Sequence, residues 1–321
     1  MFPRILDIPI TDSFSLTIFS FGFMVAVAIL TAAWLTGREL DRRQSVGQIG
    51  RVTAYGKPEP KRRKQKAEMK PSQHMGTITV LAAAFGIGGS KLFHILENLD
   101  EFFLNPVGML FSTGGLTFYG GLICAGLAIA YYVRKVGIPV PIMADAVAPG
   151  LMLAYGIGRI GCYLAGDGDW GVCSDLADKP AWIPGFLWSE TFPDNVLGPG
   201  QTPIDPISYN IRQGDTGCVV GVTDGVFPTM LYEFAMASIL FGVLWALRKK
   251  PHQAGWLFGG YLLFAGLERL LIERIRVNNE YDLFGLAVSQ AEVISVVLIL
   301  AGAAVMAWRW GKKASDPVPA E

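Results

Sequence analysis

Seven stretches of this 321-residue chain stay apolar for close to the ~20 residues that a helix needs to cross a bilayer. They fall near 16–37, 76–96, 117–134, 141–165, 228–248, 255–273 and 291–310. Inside lipid no water is available to satisfy backbone N–H and C=O groups, so such segments are driven into helices. The expected fold is therefore an all-α membrane protein: one polytopic domain over 1–321 with seven transmembrane helices. A mean hydropathy of +0.39, 51% hydrophobic residues and only 17% charged residues exclude an ordinary soluble domain. The opening residues, MFPRILDIPITD, carry a thin basic region interrupted by Asp7 and Asp12. They read as the approach to a retained span rather than a cleaved signal.

Formal net charge is zero, but the charges are segregated. Loop 38–75 holds Arg38, Arg42, Arg43, Arg51, Lys57, Lys61, Arg62, Arg63, Lys64, Lys66 and Lys70. Loop 166–227 holds Lys179 and Arg212 against nine acidic residues. By the positive-inside rule the first loop is cytoplasmic and the second lies outside. Arg134-Lys135, Arg248-Lys249-Lys250 and Lys312-Lys313 then all fall on the cytoplasmic side. The expected topology is N-terminus outside and C-terminus cytoplasmic. The basic residues are a topology signal, and a flank for anionic lipid headgroups, rather than a nucleic-acid surface.

The outer insert 166–227 is rich in Gly, Pro and Asp and carries Trp170, Trp182 and Trp188. It reads as a periplasmic head at the headgroup level. Cys173 and Cys218 both lie in it, where oxidation is possible. A disulfide between them is one reading and two free thiols the other. Cys124 falls within a span and reads as a small packing residue. The tail 312–321 is polar and Pro-containing and is expected to be disordered. No P-loop, dinucleotide fingerprint or zinc-type cluster occurs, so no cofactor and no metal site is expected.

Four polar constellations map to the outer ends of spans. Gly158-Arg159-Ile160-Gly161-Cys162-Tyr163-Leu164-Ala165-Gly166-Asp167-Gly168-Asp169-Trp170-Gly171 closes the fourth span. An arginine in or near lipid is costly, about 2.5–3.5 kcal/mol on the most lenient scale, which makes Arg159 a candidate functional residue. Glu268-Arg269-Leu270-Leu271-Ile272-Glu273-Arg274-Ile275-Arg276 ends the sixth span, with Arg269, Glu273 and Arg276 on one helical face. Gly114-Gly115-Leu116-Thr117-Phe118-Tyr119-Gly120-Gly121 opens the third span and offers the Tyr119 phenol. Gly86-Ile87-Gly88-Gly89-Ser90-Lys91-Leu92-Phe93-His94 closes the second, and His94 is the one histidine of three on the outer side. Several cations and one carboxylate would share a cavity open to lipid, suited to an anionic phospholipid headgroup. Structural readings stand beside these: Arg159 snorkelling to headgroups, an Arg269–Glu273 interfacial pair, an aromatic-belt Tyr119, a packing His94.

These motifs resemble those of the prolipoprotein diacylglyceryl transferase family, from the first span to the last, with the two inserts least covered. The GRIGCYLAGDGDWG run resembles the family signature, with Arg159 at its arginine and Asp167 at its acidic position. Phe227-Pro228-Thr229-Met230-Leu231-Tyr232-Glu233 resembles the family's HPSQLYE-like stretch. Arg269, Glu273 and Arg276 match its arginine, glutamate and second arginine, and Gly285-Leu286-Ala287-Val288-Ser289-Gln290 its approach to the last span. The chain departs from the pattern where Tyr119 replaces a histidine, Cys162 an asparagine and Phe227 a histidine.

The resemblance implies transfer of the diacylglyceryl group of phosphatidylglycerol to the lipobox cysteine of a prolipoprotein, releasing glycerol 1-phosphate. It implies a bacterial inner-membrane enzyme with its active site toward the outer leaflet. Its partners are phosphatidylglycerol, prolipoprotein signal peptides and membrane lipids. Arg159, Arg269, Glu273, Tyr119 and His94 are the expected catalytic residues. Arg159, Arg269, Arg276, Lys91, Gly120, Gly121 and Asp167 are the expected headgroup-binding residues. With the family's histidine replaced, Tyr119, His94, Glu273 or water is left to take the thiol proton. A non-catalytic phospholipid-binding relative is one alternative. A small-anion transporter is another, and the scarcity of span-interior charges beyond Asp145 weighs against it.

Overall fold

The structure, a computed structural model, describes residues 2–11, 14–53, 69–112, 117–192, 195–196, 225–250, 252–276, 280–283 and 286–310. Most of the basic loop, Gly114 to Leu116, Cys218 and the tail 312–321 lie outside the described residues. Helices dominate: α1 (Ser20–Ser45), α2 (Met75–Glu97), α3 (Leu99–Leu104), α4 (Pro106–Phe111), α5 (Phe118–Val136), α6 (Val140–Ala165), α7 (Thr229–Leu247), α8 (Trp256–Glu273) and α9 (Gln290–Arg309). Among the described residues, five segments are long and apolar enough to cross a membrane: α1, α2 with the turn Pro71–His74 before it, α6, α7 and α9. The remaining two expected spans are α5, which ends in Arg134-Lys135, and α8, which carries Glu268, Arg269 and Glu273.

Among the described residues the structure adds three two-stranded antiparallel sheets that sequence periodicity did not show. β1 (Arg4–Thr11) pairs antiparallel with β2 (Phe14–Phe19), so α1 starts at Ser20 rather than at 16. Its register places Asp7 opposite Thr17, whose hydroxyl donates to Asp7 Oδ1 at 2.9 Å. Ser20 N–H then donates to Pro3 O at 3.0 Å, which folds the strand back onto the helix start. β3 (Cys173–Ser174) pairs with β4 (Gly225–Val226), and β5 (Glu280–Leu283) pairs with β6 (Leu286–Ser289).

The described residues form two compact units, one of those up to 32 with those from 148 onward and one of those from 33 to 147, and the boundaries fall inside α1 and α6. In the second unit α2 packs on α5. A Cβ at Gly89 would stand 2.5 Å from Cys124 Cβ, and one at Gly120 or Gly121 would strike Phe93 or Ser90. Lipid tails are as apolar as leucine, so helices there gain by close van der Waals fit, and small residues permit it. This unit also buries an ionic group: Arg43 lies 2.9 Å from Glu39 and 3.7 Å from Asp145, all three almost inaccessible.

In the first unit α8 packs on α7 and, through glycines, on α9. A Cβ at Gly266 would meet Ser295 O at 2.6 Å, and one at Gly302 would meet Leu263 N at 2.5 Å. Met152, Ala237, Leu244 and Leu257 form one buried cluster, with Tyr155, Tyr261 and Phe264 packed around it. Cys162, Trp170, Val172, Phe192, Val226 and Met230 form another at the end where α6 gives way to loop.

Candidate active site

That second cluster anchors a charged site. After α6 the chain turns at Gly166 and Gly168, both with positive φ (64° and 96°), and brings Asp169 back toward Arg159. Three loop ends are then knitted together by backbone bonds. Gly171 N–H donates to Phe227 O (2.9 Å), Phe227 N–H to Val172 O (3.1 Å), and Val172 N–H to Ile275 O (2.8 Å). A Cβ on Gly171 would stand 2.6 Å from Ile275 O, so no larger residue fits this crossing. Thr229, at the first turn of α7, donates its hydroxyl to Asp169 O at 2.8 Å. The weave holds Arg159, Asp169, Glu233 and Arg276 together although their elements are far apart in sequence.

Glu233 is the hub. It is fully buried on α7. Its Oε2 lies 3.1 Å from Arg159 Nε, and its Oε1 lies 3.4 Å from Arg276 Nη1 and 3.9 Å from Arg269 Nη1. Tyr155 donates its hydroxyl to Oε1 at 2.8 Å, and the Arg159 guanidinium stands 5.4 Å over the Tyr155 ring. Asp169 bridges the other side, accepting from Arg159 on Oδ2 and from Arg276 on Oδ1. Glu273, also fully buried, faces Arg269 Nη2 at 2.8 Å through Oε2 and accepts from Ser289 Oγ at 2.5 Å through Oε1.

Ser289 caps α9 in the same stroke: its Oγ accepts from Glu292 N–H at 3.1 Å, and Glu292 returns the bond to Ser289 N–H at 2.9 Å. Three arginines thus meet three carboxylates, Asp169, Glu233 and Glu273, where the helical-face pattern pointed to one carboxylate. Arg269 has the most exposed side chain of the three arginines, at 25%, and its Nη1 makes no hydrogen bond among the described residues.

The expected site residues divide by unit. Arg159, Arg269, Glu273 and Arg276 come together here. Asp167 sits in the same turn, its Oδ1 accepting from Asp169 N–H at 3.4 Å. Lys91, His94, Tyr119, Gly120 and Gly121 belong to the other unit. There Lys91 Nζ holds Ser112 Oγ at 2.7 Å, and His94 Nδ1 lies 3.3 Å from Asn98 Nδ2. Tyr119 is exposed, with its ring edge-on to Phe118. Gly120 and Gly121 make the α2–α5 contact.

Sequence reasoning passed over Asp169, Glu233, Tyr155 and Ser289. Glu233 was in view at the end of the HPSQLYE-like stretch, and Asp169 two residues past Asp167. Only the fold could decide which carboxylate faces the arginines. Cys173 is disulfide-bonded, and its expected partner Cys218 lies outside the described residues. The thiol of Cys162 and the carboxylates of Asp167 and Asp169 lie within 4.8 Å of one another. Arg159 Nη1 already reaches both Cys162 Sγ and Asp169, and its fixed positive charge opposes a metal ion there.

The model of the prolipoprotein diacylglyceryl transferase family matches residues 9–308. A phosphatidylglycerol–prolipoprotein diacylglyceryl transferase of Corynebacterium diphtheriae is 29% identical over 243 residues, 74% of this chain and 77% of that protein. Its counterpart in Pseudoalteromonas atlantica is 26% identical over 310 residues, 93% of this chain and 88% of that protein. The counterpart in Corynebacterium efficiens is 30% identical over 249 residues, 74% of this chain and 68% of that protein. With the match spanning nearly the whole chain, and with an arginine–carboxylate site built from the signature residues, this chain belongs to the prolipoprotein diacylglyceryl transferase family.

Proposed function

We infer that this chain transfers the diacylglyceryl group of phosphatidylglycerol to the lipobox cysteine of a prolipoprotein. The thiol sulfur attacks the glycerol carbon next to the phosphate, a C–S thioether bond forms, and the C–O bond to phosphate breaks. Glycerol 1-phosphate leaves with the bonding pair, and the thiol proton passes to a base. The observation that carries this reading is the Arg159–Arg269 pair around Glu233, with Arg269 Nη1 left without a hydrogen bond among the described residues. Planar guanidinium groups suit the phosphate oxygens on which charge grows in the transition state. Glu273, tied to Arg269 and Ser289, orients the arginine. Arg276, held by Asp169 and Glu233, cross-links the site. Tyr119, Lys91, His94, Gly120, Gly121 and Asp167 are assigned to the headgroup and its approach, by resemblance and by the placement of spans.

The same reading gives seven spans, N-terminus outside and C-terminus inside, in the bacterial inner membrane with the site toward the outer leaflet. The segregated basic residues support it. The test is turnover in proteoliposomes of phosphatidylglycerol with a lipobox peptide, comparing the native protein with Arg159→Ala and Tyr119→Phe. Turnover lost in Arg159→Ala supports the transferase, and Tyr119→Phe reports whether the phenol takes part. Phosphatidylglycerol binding without turnover in the native protein favours a non-catalytic lipid-binding relative, the reading that the replaced histidine and asparagine positions support.

A further inference from the structure

One buried carboxyl has no place in the arginine network. Glu268 lies on α8, is 2% exposed, and its Oε1 makes no hydrogen bond among the described residues. Among the described residues it forms no ion pair either, while Asp169, Glu233 and Glu273 each hold at least one arginine. Its helical face is the inner one. Tyr261 lies two turns before it and the buried Ile272 one turn after, and Tyr261 packs against the cluster of Met152, Ala237, Leu244 and Leu257. Tyr155, which donates to Glu233, packs against the same cluster as Tyr261, and Glu268 immediately precedes Arg269 on α8.

Burying a carboxyl without a partner costs several kcal/mol or forces it to hold a proton, so such a group at mid-helix demands a reason. The reaction supplies one. A thiol becomes a strong nucleophile on losing its proton, and a carboxylate already clamped by guanidinium groups is a weak acceptor. Glu273 and Glu233 are clamped in this way, and Glu268 is not.

We propose that Glu268 is the general base of the transfer, taking the lipobox thiol proton directly or across one water. This rests on the diacylglyceryl transfer inferred above. The S–H bond breaks, the proton moves to a Glu268 oxygen, and the sulfur pair forms the C–S bond as glycerol phosphate departs. The protonated carboxyl then returns its proton to water or to the released phosphate, which closes the cycle. Glu268 thereby fills the role left open by the residues that replace the family's histidines.

The experiment compares the native protein, Glu268→Gln and Glu268→Asp in phosphatidylglycerol proteoliposomes under single-turnover conditions. Each receives two lipobox peptides, one with cysteine and one with selenocysteine in its place. A selenol is already ionised at neutral pH and needs no base. Glu268→Gln is expected to slow the cysteine peptide by about 10²–10⁴-fold, the usual range for a lost general base. It should leave the selenocysteine peptide within a few-fold of native. Glu268→Asp, which keeps the carboxyl, should recover part of the cysteine rate and guards against a folding defect in the glutamine variant. Equal slowing of both peptides in both variants, or no slowing of either, overturns the assignment. A native protein that transfers to neither peptide overturns the transferase reading, and this inference with it.

Discussion

Neutralising Glu233 should damage the first unit more than any other single charge change in it. At 3.1, 3.4 and 3.9 Å the carboxylate faces three arginines. Each pair is worth about 4–5 kcal/mol of gross attraction at an effective dielectric of 20, most of it cancelled by the cost of burial. What survives on removing one partner of a buried pair is about 3–5 kcal/mol, because the remaining charges are left uncompensated. Glu233→Gln keeps the volume and can still accept the Tyr155 hydroxyl, so it isolates the charge.

The expected loss for Glu233→Gln is about 4 kcal/mol, close to a thousandfold in the folding equilibrium. It should be read from unfolding by SDS titration in mixed micelles. Arg276→Gln alone leaves an excess negative charge and should also destabilise. The double variant restores the balance of charges, so its loss should fall short of the sum by about 1–3 kcal/mol, the range for residues sharing a network. If Glu233→Gln costs under about 1 kcal/mol, or if the two losses simply add, Glu233 is not the hub of the site.

Four further outcomes follow from the same contacts. Arg159→Lys should lose transfer by at least about tenfold, because a point ammonium cannot hold Asp169 and Glu233 while also gripping a phosphate; single-turnover rates check this. Ser289→Ala removes both the bond to Glu273 and the cap of α9, and should lower stability by about 1–2 kcal/mol in the same SDS titration. Gly171→Ala puts a methyl 2.6 Å from Ile275 O and should lower the melting temperature of the purified protein, with a cost of about 1–3 kcal/mol. Alkylation of the unfolded, unreduced protein should label Cys124 and Cys162, and Cys173 only after reduction.

The helices were legible because lipid imposes a length and an apolar composition that any 20-residue window reveals. The signature arginine was legible because a charge beside a bilayer is costly wherever it stands. The strand pairs were not. The register of β1 and β2 depends on their pairing with each other, and the largely apolar stretch from 14 to 36 reads equally well as helix. The network was half legible. Helical spacing put Arg269 and Glu273 together, but the expected helical face stops short of Arg276: α8 ends at Glu273, and Arg276 is bridged to Gly171 instead. Arg276, Glu233 and Asp169 meet through the backbone crossing at Gly171, and a contact between segments so far apart leaves no periodic trace. Glu268 was plainly in the motif but uninterpreted, since sequence cannot tell a carboxyl that holds an arginine from one that holds nothing.

The balance of charge at the site bears on how it could accept an anion. Three arginines against Asp169, Glu233 and Glu273 leave no net positive charge, so a phosphate is not drawn in by unpaired cations. It has to find donors left over by the carboxylates. A guanidinium has five N–H groups. Arg159 places Nη1 on Asp169 and aims Nε at Glu233, while Arg269 aims Nη2 at Glu273 and, among the described residues, leaves Nη1 without a hydrogen bond. The carboxylates therefore fix each fork in direction before any ligand arrives, and the residual donors act without reorganising, the condition under which such groups stabilise a transition state most. A weak ground-state grip on a lipid already abundant in the membrane, and a stronger one on the phosphate as its charge grows, is the division that favours turnover over tight binding.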